Sequence, residues 1–286
     1  METILYLGLL LALGQVVSCL NLTFSGNCTT SGTNGTTKHT DSLYFNATGT
    51  TNFTLPQLTG NDDPWYYHLI LSAPTNDNPR DKFIERWLSV PESFLGSEVA
   101  NRTLLCAYTI DGQDASLENK QGNDTCAGVI SDKCKKSFDV VASDVESSGC
   151  PPVYTGKDCN TAGIYSIGPM DFPKNLCRVK NPPVIDVPEG YATFRTVGVG
   201  YGGASDESGP FKDYDVVVNQ AVPEFLQFFT SNGDDQQSSV VMQSVCAVPN
   251  NVQEGSRPAD SRGGKLEMAS SAAMVMAMSL LYNIIM

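Results

Sequence analysis

The stretch WYYHLIL (Trp65–Leu71) decides the fold class. It is too short for an ordinary helix and is made of aromatic and branched side chains that suit a pleated, half-buried surface, so it reads as a β-strand. Working outward, Asn76-Asp77-Asn78-Pro79 is a loop signal. Beyond it Ile84, Arg86, Leu88 and Val90 alternate with Phe83, Glu85, Trp87 and Ser89. That period of two predicts a second strand ending at Pro91. Thr103–Ile110 predicts a third, with an Asp111-Gly112 turn after it. Ala192–Tyr201, Tyr214–Val218 and Val240–Val248 read as further strands. Ala221–Thr230 is ambiguous: it is apolar, and Val222, Phe225, Leu226 and Phe229 also fit a helix with Pro223 in its first turn.

One helix is expected. Ile130, Cys134, Phe138, Val141 and Val145 form a single apolar stripe, and Asp132, Lys135, Lys136 and Asp139 lie off it. The stripe predicts a helix over about 128–146, with Asp124 or Thr125 to start it and Gly149 to end it. Residues 150–190, rich in Cys and Pro, read as disulfide-held loops. The expected class is α+β: a single disulfide-stabilised domain of short mixed strands with one clear amphipathic helix. Its globular part is 61–248, preceded by a glycosylated flexible arm (20–60) with candidate edge strands from Ser42 to Leu58, and followed by a stalk (249–261).

The two ends speak to location. Ile4–Val17 is an apolar run with the length of a signal-peptide core, and small residues follow it. Residues 1–19 are therefore expected to be a signal peptide, cleaved after Ser18 or after Cys19. At the other end, AAMVMAMSLLYNIIM (Ala272–Met286) is apolar with no basic residue after it. Small residues in Ser261-Arg262-Gly263, then a polar spacer and this tail, match a glycosylphosphatidylinositol (GPI) attachment signal. Ser261 is the expected attachment residue, Gly263 the alternative, and 262–286 the propeptide.

Seven Asn-x-Ser/Thr sequons begin at Asn21, Asn27, Asn34, Asn46, Asn52, Asn101 and Asn123, none with Pro in the middle. All lie in the first half of the chain. Formal net charge is −13, from 18 Lys and Arg against 31 Asp and Glu. Such a chain repels phosphate backbones and anionic lipid, which argues against nucleic acid as a partner. Of nine Cys, cleavage after Cys19 leaves eight: Cys28, Cys106, Cys126, Cys134, Cys150, Cys159, Cys177 and Cys246. Secretion makes disulfides their default use, and no pair has the CxxC spacing of a zinc or redox site. The pairing stays open.

No motif carries chemistry. Gly198-Val199-Gly200-Tyr201-Gly202-Gly203 matches a dinucleotide fingerprint as a string, but the acidic, loop-like Ala204–Pro210 follows where a helix should begin. His39 and His68 are the only histidines, and there is no G-x-S-x-G elbow. Asp62-Asp63, Asp213 with Asp215, and Asp234-Asp235 could supply a glycosidase pair only if folding brought two of them into one cleft. EF-hand spacing is absent, and no cofactor or metal is expected. Trp65, Tyr66, Tyr67 and Trp87 are either core or a surface that stacks on sugars.

The strings NRTLLCAY (Asn101–Tyr108), DGQDAS (Asp111–Ser116), CAGVISDKC (Cys126–Cys134), VPEGY (Val187–Tyr191) and CAVPNNVQEGSRP (Cys246–Pro258) give the chain a resemblance to uncharacterised GPI-anchored, cysteine-rich surface or secreted glycoproteins of ascomycete fungi. The resemblance spans about residues 84–258. It implies a place on the outer face of the plasma membrane or in the cell wall, and it carries over no catalytic residue. The expected function is a binding or structural one, with the membrane reached through the lipid and wall glycans or surface proteins as partners. The alternatives are a GPI-anchored wall polysaccharide hydrolase or transglycosidase using paired carboxylates, and a soluble secreted effector.

Overall fold

The computed structural model describes residues 18–25, 40–72, 83–111, 126, 128–138, 150–151, 159, 163–172, 178–179, 187–200, 212–231, 239–249 and 251–252. Strands dominate. In chain order they are β1 (Ser18–Ser25), β2 (Thr40–Phe45), β3 (Ala47–Thr54), β4 (Pro64–Leu71), β5 (Phe83–Pro91), β6 (Thr103–Asp111), β7 (Gly163–Asp171), β8 (Arg178–Val179), β9 (Tyr191–Gly200), β10 (Val222–Thr230), β11 (Ser239–Ala247) and β12 (Asn251–Val252). Short helices lie between them: α1 (Pro56–Thr59), α2 (Glu92–Leu95), α3 (Asp132–Phe138) and α4 (Lys212–Val217), with a 3-10 turn at Ala100–Arg102. Eight strands form one sheet in the order β12-β3-β4-β5-β9-β8-β1-β2, and four form a second, β11-β10-β6-β7.

The sheets pack face to face. Period two sends Trp65, Tyr67, Leu69 and Leu71 of β4 to the same face, where they meet Leu226 and Phe228 of β10 and Leu105 and Ala107 of β6. Trp65 is the hub: its ring is 5.0 Å from Phe94 and 5.3 Å, edge-on, from Phe228. The far face of the small sheet carries a second core. There Phe138 of α3 stacks on Phe225 at 3.7 Å, with Cys106, Cys134 and Cys246 beside it. β10 is therefore buried at all nine positions, which explains why its sequence lacks the apolar–polar alternation of a half-exposed strand. Its ambiguous reading resolves as a strand.

The large sheet cannot be flat. Only Asn46 separates the end of β2 from the start of β3, so Phe45 and Ala47 lie within about 7.6 Å. These strands are six steps apart in the sheet order, which would be roughly 29 Å in a flat sheet. The turn is made at β1, whose Ser18–Thr23 segment pairs with β2 while Phe24 and Ser25 pair with β8. The inner face is filled by the small sheet, and Ile70, His68 and Trp87 on the outer face are at most 1 % exposed.

Several expectations are corrected. Tyr214–Val218 is not a strand: α4 occupies Lys212–Val217, with Asp213 and Asp215 in the first turn. Tyr214, Val217, Val218 and Ala221 are all buried, at i, i+3, i+4 and i+7, a helical stripe. The helix expected over about 128–146 begins only at Asp132. Ser131 caps it by accepting the Cys134 N–H at 3.1 Å, and Gly128–Ile130 form a turn and a bridge. Residues 139–149 of that expectation lie outside the described residues. Among the described residues there are thus four short helices in a fold built mostly of sheet, and one clear helix is not what they show. The region 150–190 contributes β7 and β8, and the stalk contributes β12, which pairs with Thr48 and Ala47. The segment 20–60 supplies most of β1 together with β2, β3 and α1, with Phe53, Leu55 and Leu58 in the main core. The boundary expected at residue 61 falls inside the β3–β4 hairpin.

Candidate functional site

Two buried polar clusters and one open patch are candidates. The first cluster is a ladder across the outer face of the large sheet. His68 of β4 meets Thr50 Oγ1 of β3 at 3.0 Å through Nδ1, and Ser89 Oγ of β5 at 2.8 Å through Nε2. Ser89 in turn meets Thr193 Oγ1 of β9 at 2.8 Å. Four adjacent strands are thereby joined through side chains. Burial pushes the imidazole pKa down to about 3, because a charge there would lose its hydration. A neutral ring both donates and accepts, so hydroxyls on each side satisfy it. The Ser89–His68 distance is that of a nucleophile and its base. The third member is a threonine hydroxyl rather than a carboxylate, however, and Ser89 and His68 are fully buried. No substrate carbonyl can reach them, so the ladder holds strands together.

The second cluster lies between the sheets. Arg86 Nε is 2.8 Å from Glu224 Oε2, which also accepts from the Tyr67 hydroxyl at 2.7 Å and, at 3.4 Å, from Thr109 Oγ1. The charged side chains of Arg86 and Glu224 are 3 % and 0 % exposed. The ion pair is close but not aligned as an N–H···O bond, and Arg86 Nη1 and Glu224 Oε1 have no hydrogen-bond partner. Burial raises the Glu224 carboxyl pKa, against the opposing pull of Arg86. Tyr67 is raised well above the usual phenol range by its own burial and then by the Glu224 charge. A sealed acid of this kind has no solvent path for catalysis. Its effect is on the sandwich, since it links β4 and β5 of one sheet to β6 and β10 of the other.

The open patch is at the β4 start. Tyr66 and Tyr191 are half-buried and meet edge to face, with centroids 5.3 Å apart. Tyr66 also stacks on His68 at 6.4 Å. Asp63 stands near enough to help raise the Tyr191 pKa, after burial and the nearby Tyr66, and it accepts from Asn61 Nδ2 at 2.8 Å. The rings offer stacking faces and the carboxylate a hydrogen-bond acceptor at the surface.

The other sequence candidates fall as follows. Trp65, Tyr67 and Trp87 are core. Asp62 and Asp63 precede β4, and Asp213 and Asp215 sit in the first turn of α4. Asp234-Asp235 and His39 lie outside the described residues. Gly198, Val199 and Gly200 of the glycine-rich string end strand β9, and residues 201–203 lie outside the described residues. A Cβ on Gly198 would stand 2.6 Å from Glu85 Oε1, so glycine there makes room for the two-pronged Glu85–Arg195 pair. Among the described residues no group of three or more His, Cys, Asp or Glu could hold a metal ion, and no helix is long and apolar enough to cross a membrane.

Six of the eight expected cysteines pair, as Cys106–Cys150, Cys126–Cys246 and Cys134–Cys159. Cys28 and Cys177 lie outside the described residues, as do Asn27, Asn34, Asn123, Ser261 and Gly263. Asn21 is on β1. Asn52 and Asn101 are exposed, whereas Asn46 is only 4 % exposed between buried Phe45 and Ala47. Sequence reasoning missed the Glu224 cluster, because Arg86 and Glu224 are far apart in the chain and only the packing of the two sheets brings them together.

No family model, curated protein or solved structure matches the chain.

Proposed function

We propose that the chain is a secreted, N-glycosylated surface protein, anchored by a GPI lipid at the outer face of the membrane or passed on to the cell wall, with a binding or structural role. The observation that carries this reading is the set of three disulfides. They tie inner strand β6, edge strand β11 and α3 into one core, and such bonds persist in oxidising compartments outside the cytosol. The exposed sequon asparagines Asn52 and Asn101 and the apolar runs at Ile4–Val17 and Ala272–Met286 point the same way. A binding role draws on the Tyr66–Tyr191 patch, a structural one on the buried ladders. The test is fractionation of cells expressing an internally tagged copy, with and without phosphatidylinositol-specific phospholipase C, and with glucanase on the wall residue. Release by either enzyme supports the reading. Protein already free in the medium removes the anchor and leaves a soluble effector or secreted enzyme, and protein retained in the cytosol overturns the reading altogether.

A further inference from the structure

We infer that Asn52 and Tyr66 form a glycan seat, in which the first sugar of an N-glycan on Asn52 lies on the Tyr66 ring. The inference rests on the secreted reading above. It begins with register. Asn52 of β3 is the direct cross-strand partner of Tyr66 of β4, and Thr50 is the partner of His68. The Thr50 hydroxyl bonds the His68 ring, so this pair shares one face of the sheet. Asn52 and Tyr66, two residues along each strand, stand on that same face. Direct partners have Cβ atoms about 4.5–5.5 Å apart. The amide and one glycosidic bond carry a sugar outward from Asn52 to the height of a ring on the neighbouring strand.

Exposure makes the same case. The outer face is sealed at His68, Trp87 and Ser89, yet it opens at Asn52, which is exposed, and at Tyr66, which is half-buried. Phe53, the middle residue of the sequon, points the other way into the core at 3 % exposure, and Thr54 is exposed, so all three sequon positions are oriented for an outward acceptor. Tyr191 meets Tyr66 edge to face and fixes its ring. A pyranose presents an apolar C–H face that stacks on the electron-rich face of a phenol ring. Asp63, close to Tyr191, can accept from a sugar hydroxyl or from the acetamide N–H. Asn46, the other sequon of this region, is buried and offers no such seat.

The full chain is to be secreted from a eukaryotic host that makes high-mannose glycans, recovered from the medium or by phospholipase, and trimmed with endoglycosidase H to single N-acetylglucosamines. Glycopeptide mass spectrometry reads occupancy at Asn52 and Asn101. In the trimmed protein the acetyl-methyl resonance that disappears in Thr54→Ala is assigned to Asn52. It should be shifted upfield by the ring, stay shifted in Tyr66→Phe, and return to the free-glycan position in Tyr66→Leu. Thr54→Ala should lower Tm by about 2–4 °C in the natural background and have no further effect beside Tyr66→Leu. Should Tyr66→Leu not be secreted, the resonance position in the trimmed natural protein decides alone. An unshifted methyl on an occupied Asn52 overturns the seat and leaves the secreted reading intact. So does a bare Asn52 beside an occupied Asn101. A chain that carries no glycan and stays inside the cell overturns both.

Discussion

Glu224→Gln tests the buried ion pair that joins the two sheets. The change is nearly isosteric and leaves the Arg86 guanidinium at 3 % exposure without its counter-charge. Removing one partner of a buried pair costs about 3–5 kcal/mol. For a domain of this size that corresponds to roughly 6–20 °C in Tm. The pair itself is a different quantity. Because Arg86 Nη1 and Glu224 Oε1 lack hydrogen-bond partners, its attraction barely offsets the hydration both groups lose. The triple variant Tyr67→Phe/Arg86→Met/Glu224→Leu, which removes the charges and the phenol hydroxyl together, should therefore be as stable as the natural protein or more so. Arg86→Met alone should show a pH signature. Glu224 has a raised folded-state pKa, and loss of the cation raises it further, so that variant is most stable below the ordinary carboxyl value near 4.5 and loses stability as pH rises through the folded-state pKa. The assay is guanidinium unfolding with disulfides intact, followed by tryptophan emission, since Trp65 and Trp87 are both fully buried. A triple variant as damaged as Glu224→Gln, or a Glu224→Gln loss below about 0.5 kcal/mol, would refute the reasoning.

Three further outcomes are expected. His68 titrates near 6.5 when unfolded and at about 3 when folded, so stability is full above pH 6.5 and falls as pH drops from there toward 3, by about 3 kcal/mol between pH 7 and pH 4. His68→Gln should flatten that acid limb, and an unchanged slope in urea titrations at stepped pH would count against it. Cysteine-pair replacements should rank by the loop each bond closes. Cys126–Cys246 spans 120 residues and Cys134–Cys159 spans 25, which gives about 4.9 against about 3.5 kcal/mol in the chain-entropy account, and reversed Tm losses would contradict it. Glycopeptide mapping of secreted protein should find Asn101 occupied and Asn46 bare, because Asn46 is 4 % exposed between buried neighbours. An occupied Asn46 in folded protein would show that the β2–β3 link is not as described.

The strands with a clean period or a strong composition, at Trp65–Leu71, Ile84–Val90 and Thr103–Ile110, were legible because each carries its burial pattern locally. β10 was not, since a strand covered on both faces loses its alternation, and Val222, Phe225, Leu226 and Phe229 then match a helix by coincidence. Tyr214–Val218 misleads for the opposite reason: aromatic and branched residues suggest a strand, while the i, i+3, i+4 burial of Tyr214, Val217 and Val218 belongs to a helix. β7 hides behind Gly163, Gly168 and Pro169. Gly168 has φ 118° at the irregularity opposite Leu105–Ala107, where a Cβ would stand 2.7 Å from the Leu105 carbonyl oxygen and 2.9 Å from Cys150 Sγ. That glycine answers to a disulfide distant in sequence, which no local pattern reveals. The same holds for the Tyr66 patch. Its aromatic composition was visible, but its pairing with Asn52 is a matter of register.

The strand order also sets a timetable. β6 finds its partner β10 more than a hundred residues later, and β3 meets β12 only when Asn251 and Val252 arrive. Pairing over such distances is slow and leaves apolar faces waiting in the open. On a chain made from its N-terminus, the early strands wait longest, with Trp65, Tyr67 and Leu69 uncovered until the second sheet exists. The sequons all fall in that early half. Carbohydrate added there would shield the unfinished sheet from its neighbours during the interval in which it has no partner of its own.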